Sequence, residues 1–187
     1  MTDRERLLRL LKTRSVQRGD FILSSGGRSS FYIDARLTTM SAEGLLLVGR
    51  VGLEAIRARG WKPAAVGGLT LGADPVAYAI AAASVSSPPL VDAFSVRKEP
   101  KGHGAQRRIE GNLPGGGPVV VVEDVITTGA STISAIEAVE AEGAVVLGVL
   151  AVVDREERGR EAVERKCSVV VITTISELGL RPTARPN

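Results

Sequence analysis

Fourteen residues hold the densest chemistry in the chain: Val119-Val120-Val121-Val122-Glu123-Asp124-Val125-Ile126-Thr127-Thr128-Gly129, then Ala130, Ser131 and Thr132. Four consecutive valines read as a strand buried on both faces. The run ends in two carboxylates and a hydroxyl- and glycine-bearing turn that opens a helix. The first backbone N–H groups of a helix have no partner within it, and the helix dipole places positive potential there. Thr127, Thr128, Ser131 and Thr132 add hydroxyl donors, and Gly129 lets the backbone come close, so the turn is an anion site. Glu123 and Asp124 would repel a phosphate at direct contact and suit hydrogen bonds from sugar hydroxyls. Phosphate on one side and a diol on the other describe a ribose 5-phosphate.

Other segments could serve the same ligand. Gly67-Gly68-Leu69-Thr70-Leu71-Gly72 places three glycines in six residues, which lets backbone N–H groups face an anion at close range. Strand-end acids also occur in nucleotide hydrolases, but those need G-x-x-x-x-G-K-[ST], and here Gly72 is followed by Ala73-Asp74. Arg97, Lys98, Lys101, His103, Arg107 and Arg108 form a basic cluster that on its own would be a solvated surface loop. His103 is the one histidine of the chain, and Gly102 and Gly104 flank it where a closing loop needs freedom.

The elements that must position these groups alternate. Thr2-Asp3-Arg4-Glu5 has capping-box spacing ahead of a helix with a leucine stripe. Two strand-like runs between Phe21 and Asp34 flank a turn-rich hairpin. Ser41 caps a long amphipathic helix reaching about Arg59. Strands are expected at Ala64–Gly67, Leu90–Val96, Val119–Glu123, Ala144–Val153 and Val169–Ile172, with helices from Asp74 to Val85, Ala130 to Glu142, and from about Glu156. This order predicts an α/β fold, a parallel sheet covered by helices, with ligands beyond the carboxyl ends of its strands. Residues 97–117 are polar and Gly-rich, a span of about twenty residues that in a compact domain reads as a lid loop.

At 187 residues the chain fits one domain, and Cys167, its single cysteine, excludes an internal disulfide and zinc or redox CxxC motifs. The N-terminus lacks a signal peptide's apolar centre and no run approaches the ~18 apolar residues of a membrane span, so a cytoplasmic protein is expected. A net charge of +3 and 3% aromatic residues argue against a nucleic-acid surface.

The acidic strand end with Thr-Gly and a following hydroxyl resembles the phosphoribosyl-diphosphate (PRPP) signature of type I phosphoribosyltransferases. Arg97-Lys98-Glu99-Pro100-Lys101-Gly102-His103-Gly104 is similar to the catalytic loop of that family's orotate branch. Phe21-Ile22-Leu23-Ser24-Ser25-Gly26 with Phe31-Tyr32-Ile33-Asp34 is similar to the branch's substrate segment, and Gly67 to Pro75 to its pyrophosphate turn. The resemblance implies the type I fold over 1–187, a parallel twisted sheet flanked by helices, with an N-terminal hood over 1–40 and a flexible catalytic loop. It implies transfer of ribose 5-phosphate from PRPP to orotate, giving orotidine 5′-phosphate and pyrophosphate in pyrimidine synthesis. Lys101, His103 and Asp124 are then catalytic: lysine and histidine meet the charge of the leaving pyrophosphate in a closed site. PRPP would be held by Thr70, Gly72, Arg97, Lys98, Glu123, Asp124, Val125, Ile126, Thr127, Thr128, Gly129, Ala130 and Ser131, besides Lys101 and His103. Orotate would be held by Thr127, Arg155, Phe31 and Tyr32, with Arg155 facing its carboxylate.

The same resemblance implies Mg²⁺ carried by substrate oxygens without dedicated protein ligands, and a homodimer whose lid crosses into the neighbour's site. One departure stands out: Ser24 replaces a common family lysine, and Arg28 is the expected substitute for its charge. A phosphoribosyltransferase for another base and a PRPP-sensing, nucleic-acid-binding regulator are the alternatives.

Overall fold

The computed structural model describes residues 1–22, 28–99 and 108–181. Helix α1 (Asp3–Leu10) opens with the expected capping box: Thr2 Oγ1 accepts from the Glu5 N–H at 3.1 Å, and Glu5 Oε2 accepts from the Thr2 N–H at 2.8 Å. A π-helical turn (Leu11–Ser15) leads into β1 (Val16–Ile22), which pairs antiparallel with β2 (Arg28–Ile33) to form a two-stranded ribbon. A short helix α2 (Arg36–Thr39) joins this ribbon to α3 (Ala42–Ala58), which Ser41 caps by accepting from the Gly44 N–H at 3.2 Å.

The main unit is β3 (Ala65–Leu69), α4 (Ala73–Val85), β4 (Asp92–Val96), β5 (Ile109–Gly111), β6 (Pro118–Ile126), α5 (Ala130–Ala141), β7 (Val145–Asp154), α6 (Gly159–Glu164) and β8 (Val169–Thr174). Its six strands run in the order β5-β4-β3-β6-β7-β8, parallel throughout except for β5. The valine run explains the layering. Val120 and Val122 pack with Leu7, Leu47, Ile56 and Ile80 on one face, while Val119 and Val121 pack with Phe94, Ile136 and Val139 on the other. All four valines are fully buried, each contributing roughly 1.5–3 kcal/mol relative to exposure. Alternate pointing of side chains turns one apolar run into two cores.

Several boundaries differ from those expected; β1, for one, begins at Val16 instead of Phe21. Strand β6 does not stop at Glu123: Val125 and Ile126 still pair with Val153 and Asp154 of β7, so the acid pair lies on the last pleats of the strand. Within the 97–117 span expected to be loop, Ile109–Gly111 forms an antiparallel edge strand on β4, and Ile109 packs against the Phe94 cluster. Helix α6 begins at Gly159 instead of Glu156, because Glu156 and Arg158 both have positive φ and the Glu156 N–H donates to Asp154 Oδ1 at 2.8 Å. Lys101 and His103 of the expected lid, and Ser24 of the hairpin, lie outside the described residues.

Candidate active site

A cleft of about 700 Å³ opens beyond the carboxyl ends of β3, β6 and β7. The ribbon and α2 wall it with Tyr32, Asp34 and Arg36. Thr70, Leu71 and Gly72 form a second wall, and Glu123, Asp124, Val125, Thr127, Ser131 and Arg155 line the remainder with Lys98. Parallel strands converge here because their connecting turns all leave the sheet on the same edge.

The two acids turn toward different neighbours. Glu123 meets α5, where Thr132 Oγ1 donates to its Oε2 at 3.0 Å. Asp124 lies against Gly72 and accepts the Val125 N–H at 2.8 Å. Burial, reinforced by the charge of Asp124, pushes Glu123 up to about 8, and burial raises Asp124 as well. Two adjacent carboxylates with so little water cannot both ionise freely, which favours a proton on Glu123.

The turn after β6 has the geometry of an anion cradle. Gly129 takes φ +81°, a left-handed conformation that favours glycine, and a Cβ there would meet the Gly159 carbonyl oxygen at 2.7 Å. Helix α5 has no side-chain cap; the contact from the Ala130 N–H to Thr128 Oγ1 is long, at 3.4 Å. Its first turn therefore keeps N–H groups for a ligand. Thr127 and Ser131 line the cleft, Thr128 and Ala130 are exposed beside it, and Ile126 is in the core, offering only backbone. On the second wall the Thr70–Leu71 peptide is cis.

Arg155 is 5% exposed and its guanidinium lies 5.1 Å from the centre of the Phe31 ring. Its Nη2 forms a buried ion pair with Glu157 Oε1 at 2.9 Å, and Nε is buried without an acceptor among the described residues. Such a group is costly unless something supplies one. Phe31 thus backs the arginine from the core, whereas Tyr32, next along β2, faces the cleft and packs on Phe21 with ring centres 5.8 Å apart.

Of the described candidates, the cleft gathers Thr70, Gly72, Lys98, Glu123, Asp124, Val125, Thr127, Ser131, Tyr32 and Arg155. Arg97 does not line it; its Nη1 is 3.7 Å from Glu110, and its N–H donates to the Arg108 carbonyl, closing the stem of the loop. Asp34, Arg36 and Glu157 were missed. An acid two residues before an arginine at a strand end was the available signal for the first two; Glu157 had none beyond its nearness to Arg155.

A second concavity, about 790 Å³, is elsewhere. It lies between α3 and α4, lined by Leu45, Leu46, Leu53 and several alanines, and presents no converging acids or hydroxyls comparable to those of the cleft. No helix among the described residues is long and apolar enough to cross a membrane.

Known proteins match both the sequence and the fold. The phosphoribosyl transferase domain family matches residues 43–180. An orotate phosphoribosyltransferase of Aquifex aeolicus is 49% identical over 169 residues, covering 89% of this chain and 91% of that protein. Among solved structures, the Mycobacterium tuberculosis H37Rv orotate phosphoribosyltransferase in complex with Fe(III) dicitrate superposes with TM-score 0.86 at 42% identity, over 96% of this chain and 100% of that one. The same enzyme in complex with PRPP gives 0.81 at 39% identity, over 96% and 100%.

Proposed function

The chain belongs to the phosphoribosyltransferase family and, within it, to the orotate phosphoribosyltransferases, and from that premise we propose how its cleft transfers ribose 5-phosphate from PRPP to orotate. The 5-phosphate occupies the turn from Thr127 to Thr132, bonded by free N–H groups and hydroxyls. Glu123 and Asp124 take the ribose hydroxyls. Pyrophosphate lies against Thr70 to Gly72. Orotate presents its carboxylate to Arg155 and its ring to Tyr32.

The observation that carries the orotate assignment is the Arg155 guanidinium, buried at the cleft with Nε lacking an acceptor among the described residues and Nη2 held only by the ion pair to Glu157. A planar carboxylate satisfies both with two parallel charge-assisted bonds. A neutral base such as uracil leaves Nε unsatisfied, which is how a buried polar group rejects an analogue.

The step is a displacement at the anomeric carbon. The bond from C1′ to the pyrophosphate oxygen breaks as the bond to orotate N1 forms, and pyrophosphate leaves with the electron pair and takes up the proton released from N1. Positive charge on the ribosyl ring and negative charge on the leaving oxygens develop together, so catalysis is mainly positioning and electrostatics. Asp124 faces the ring cation. Lys101 and His103, outside the described residues, close over the leaving group by family resemblance. Among the described residues no group of three or more His, Cys, Asp or Glu side chains could hold a metal. Mg²⁺ arriving with PRPP would be met on the protein side by Asp124, beside the turn from Thr70 to Gly72, and would neutralise charge on the departing group. We propose a cytoplasmic homodimer; the apolar face around Leu45 and Leu46 supports a second copy, and a lid donated in trans completes each site.

The deciding experiment follows loss of orotate ultraviolet absorbance with PRPP and Mg²⁺, with uracil, hypoxanthine and adenine as parallel acceptors. Turnover confined to orotate is expected. Turnover of another base would reassign the acceptor, and PRPP binding without any turnover would favour a regulator.

A further inference from the structure

Arg36 carries a role that neither the motif nor the fold assigns. It begins α2, at the cleft wall, with its guanidinium clamped fork to fork on Asp34: Nε to Oδ1 at 2.8 Å and Nη2 to Oδ2 at 2.9 Å. The Arg36 backbone N–H donates to the same Oδ1 at 3.1 Å, so Asp34 fixes both the main chain and the side chain of this residue. The clamp uses one edge of the guanidinium. Nη1 makes no hydrogen bond among the described residues, and the side chain stays 42% exposed. A cation held at one edge and open at the other is preorganised for an anion.

Its position indicates which anion. Arg36 and Asp124 line the same cleft, and Asp124 itself rests on Gly72 of the turn from Thr70 to Gly72. Arg36 thus belongs to the corner where the acid pair meets that turn. The described residues lining the cleft include three cations, Arg36, Lys98 and Arg155, against three acids, Asp34, Glu123 and Asp124. Arg155 is buried beside Glu157 and Phe31, at the base end. Among the described residues lining the cleft, Arg36 and Lys98 then remain for a leaving group that gains negative charge as it departs. Arg28, the replacement expected for the lysine missing at Ser24, is exposed at the start of β2 and does not line the cleft.

We propose that Arg36, held by Asp34, binds the pyrophosphate group of PRPP, supplying the hood-side charge that Arg28 was expected to supply. This rests on reading the cleft as a PRPP site. The test measures pyrophosphate affinity by calorimetry and steady-state KM values for both substrates, in wild type, Arg36→Gln, Arg36→Lys and Arg28→Gln. A lost charge-assisted bond predicts that Arg36→Gln weakens pyrophosphate binding and raises the PRPP KM about ten- to a hundredfold. The orotate KM should stay within about twofold, Arg36→Lys should recover part of the loss, and Arg28→Gln should change nothing. Unchanged pyrophosphate affinity in Arg36→Gln, or a rise confined to the orotate KM, overturns the assignment while wild-type turnover leaves the cleft reading intact. Should Arg36→Gln not fold, Arg36→Lys decides alone, since its shorter point charge must still weaken pyrophosphate more than orotate. Wild type that binds no pyrophosphate overturns both.

Discussion

The Asp124 carboxylate rests on the Cα of Gly72, so closely that a side-chain carbon there would collide with it. Gly72 has φ −64° and ψ −42°, a conformation alanine adopts without strain. Gly72→Ala therefore tests the contact and not the backbone. Asp124 must shift to make room, giving up its hydrogen bond from the Val125 N–H. We expect the melting temperature to change little and kcat to fall on the order of a hundredfold, the usual cost of an ångström-scale misplacement. A Gly72→Ala enzyme with normal kcat would show that the position of Asp124 is not used.

Arg155→Lys separates fork from charge. Lysine keeps the charge but cannot present two parallel N–H groups to a carboxylate. The expected result is an orotate KM raised about ten- to a hundredfold with the PRPP KM within about twofold. Equal losses for both substrates in steady-state kinetics would count against a carboxylate at this position.

Much of this site could be read directly from residue types. The valine run, the acid pair and the hydroxyl turn set out β6 and α5 because buried strands and uncapped helix starts leave local signatures. Phe31 and Tyr32 were separable in principle: β2 alternates exposed and buried residues, and Phe31 is in phase with Ser29 and Ile33. Strand β5 left no signature, since three residues with a single apolar side chain form a strand only by borrowing the edge of β4. The role of Arg36, beyond its local pairing with Asp34, was hidden for a related reason. Its value comes from Asp124 and Gly72, which are near only after β6 and the β3–α4 turn have come together.

Glu123 should make stability depend on pH with a definite sign. Its folded value, raised to about 8 by burial and the neighbouring Asp124 charge, exceeds its ordinary 4.5, so between these limits the folded state binds the proton and the unfolded state does not. Stability from this group is then full below about 4.5 and declines as pH rises toward 8. Glu123→Gln mimics the protonated form and removes the decline. Urea unfolding of the substrate-free protein across pH 5 to 9 should show the variant gaining on wild type up to about pH 8 and holding constant beyond it. Parallel curves would mean that Glu123 titrates normally.

The arrangement of the lid is settled by mixing subunits. Lys98 lines the cleft of its own chain, and the three residues onward to Lys101 span at most about 11 Å, so reach alone permits Lys101 to enter its own site or a neighbour's. Lys101→Ala and Asp124→Asn should each be nearly inactive, one lacking charge at the leaving group and the other at the ribosyl cation. When the two are unfolded and refolded together, a lid donated in trans gives each heterodimer one site with both Lys101 and Asp124 intact. Random pairing then predicts recovery of about a quarter of wild-type activity. A lid that closes on its own chain leaves every site with one defect, and a heterodimer verified by mass and still inactive would assign each site to a single chain.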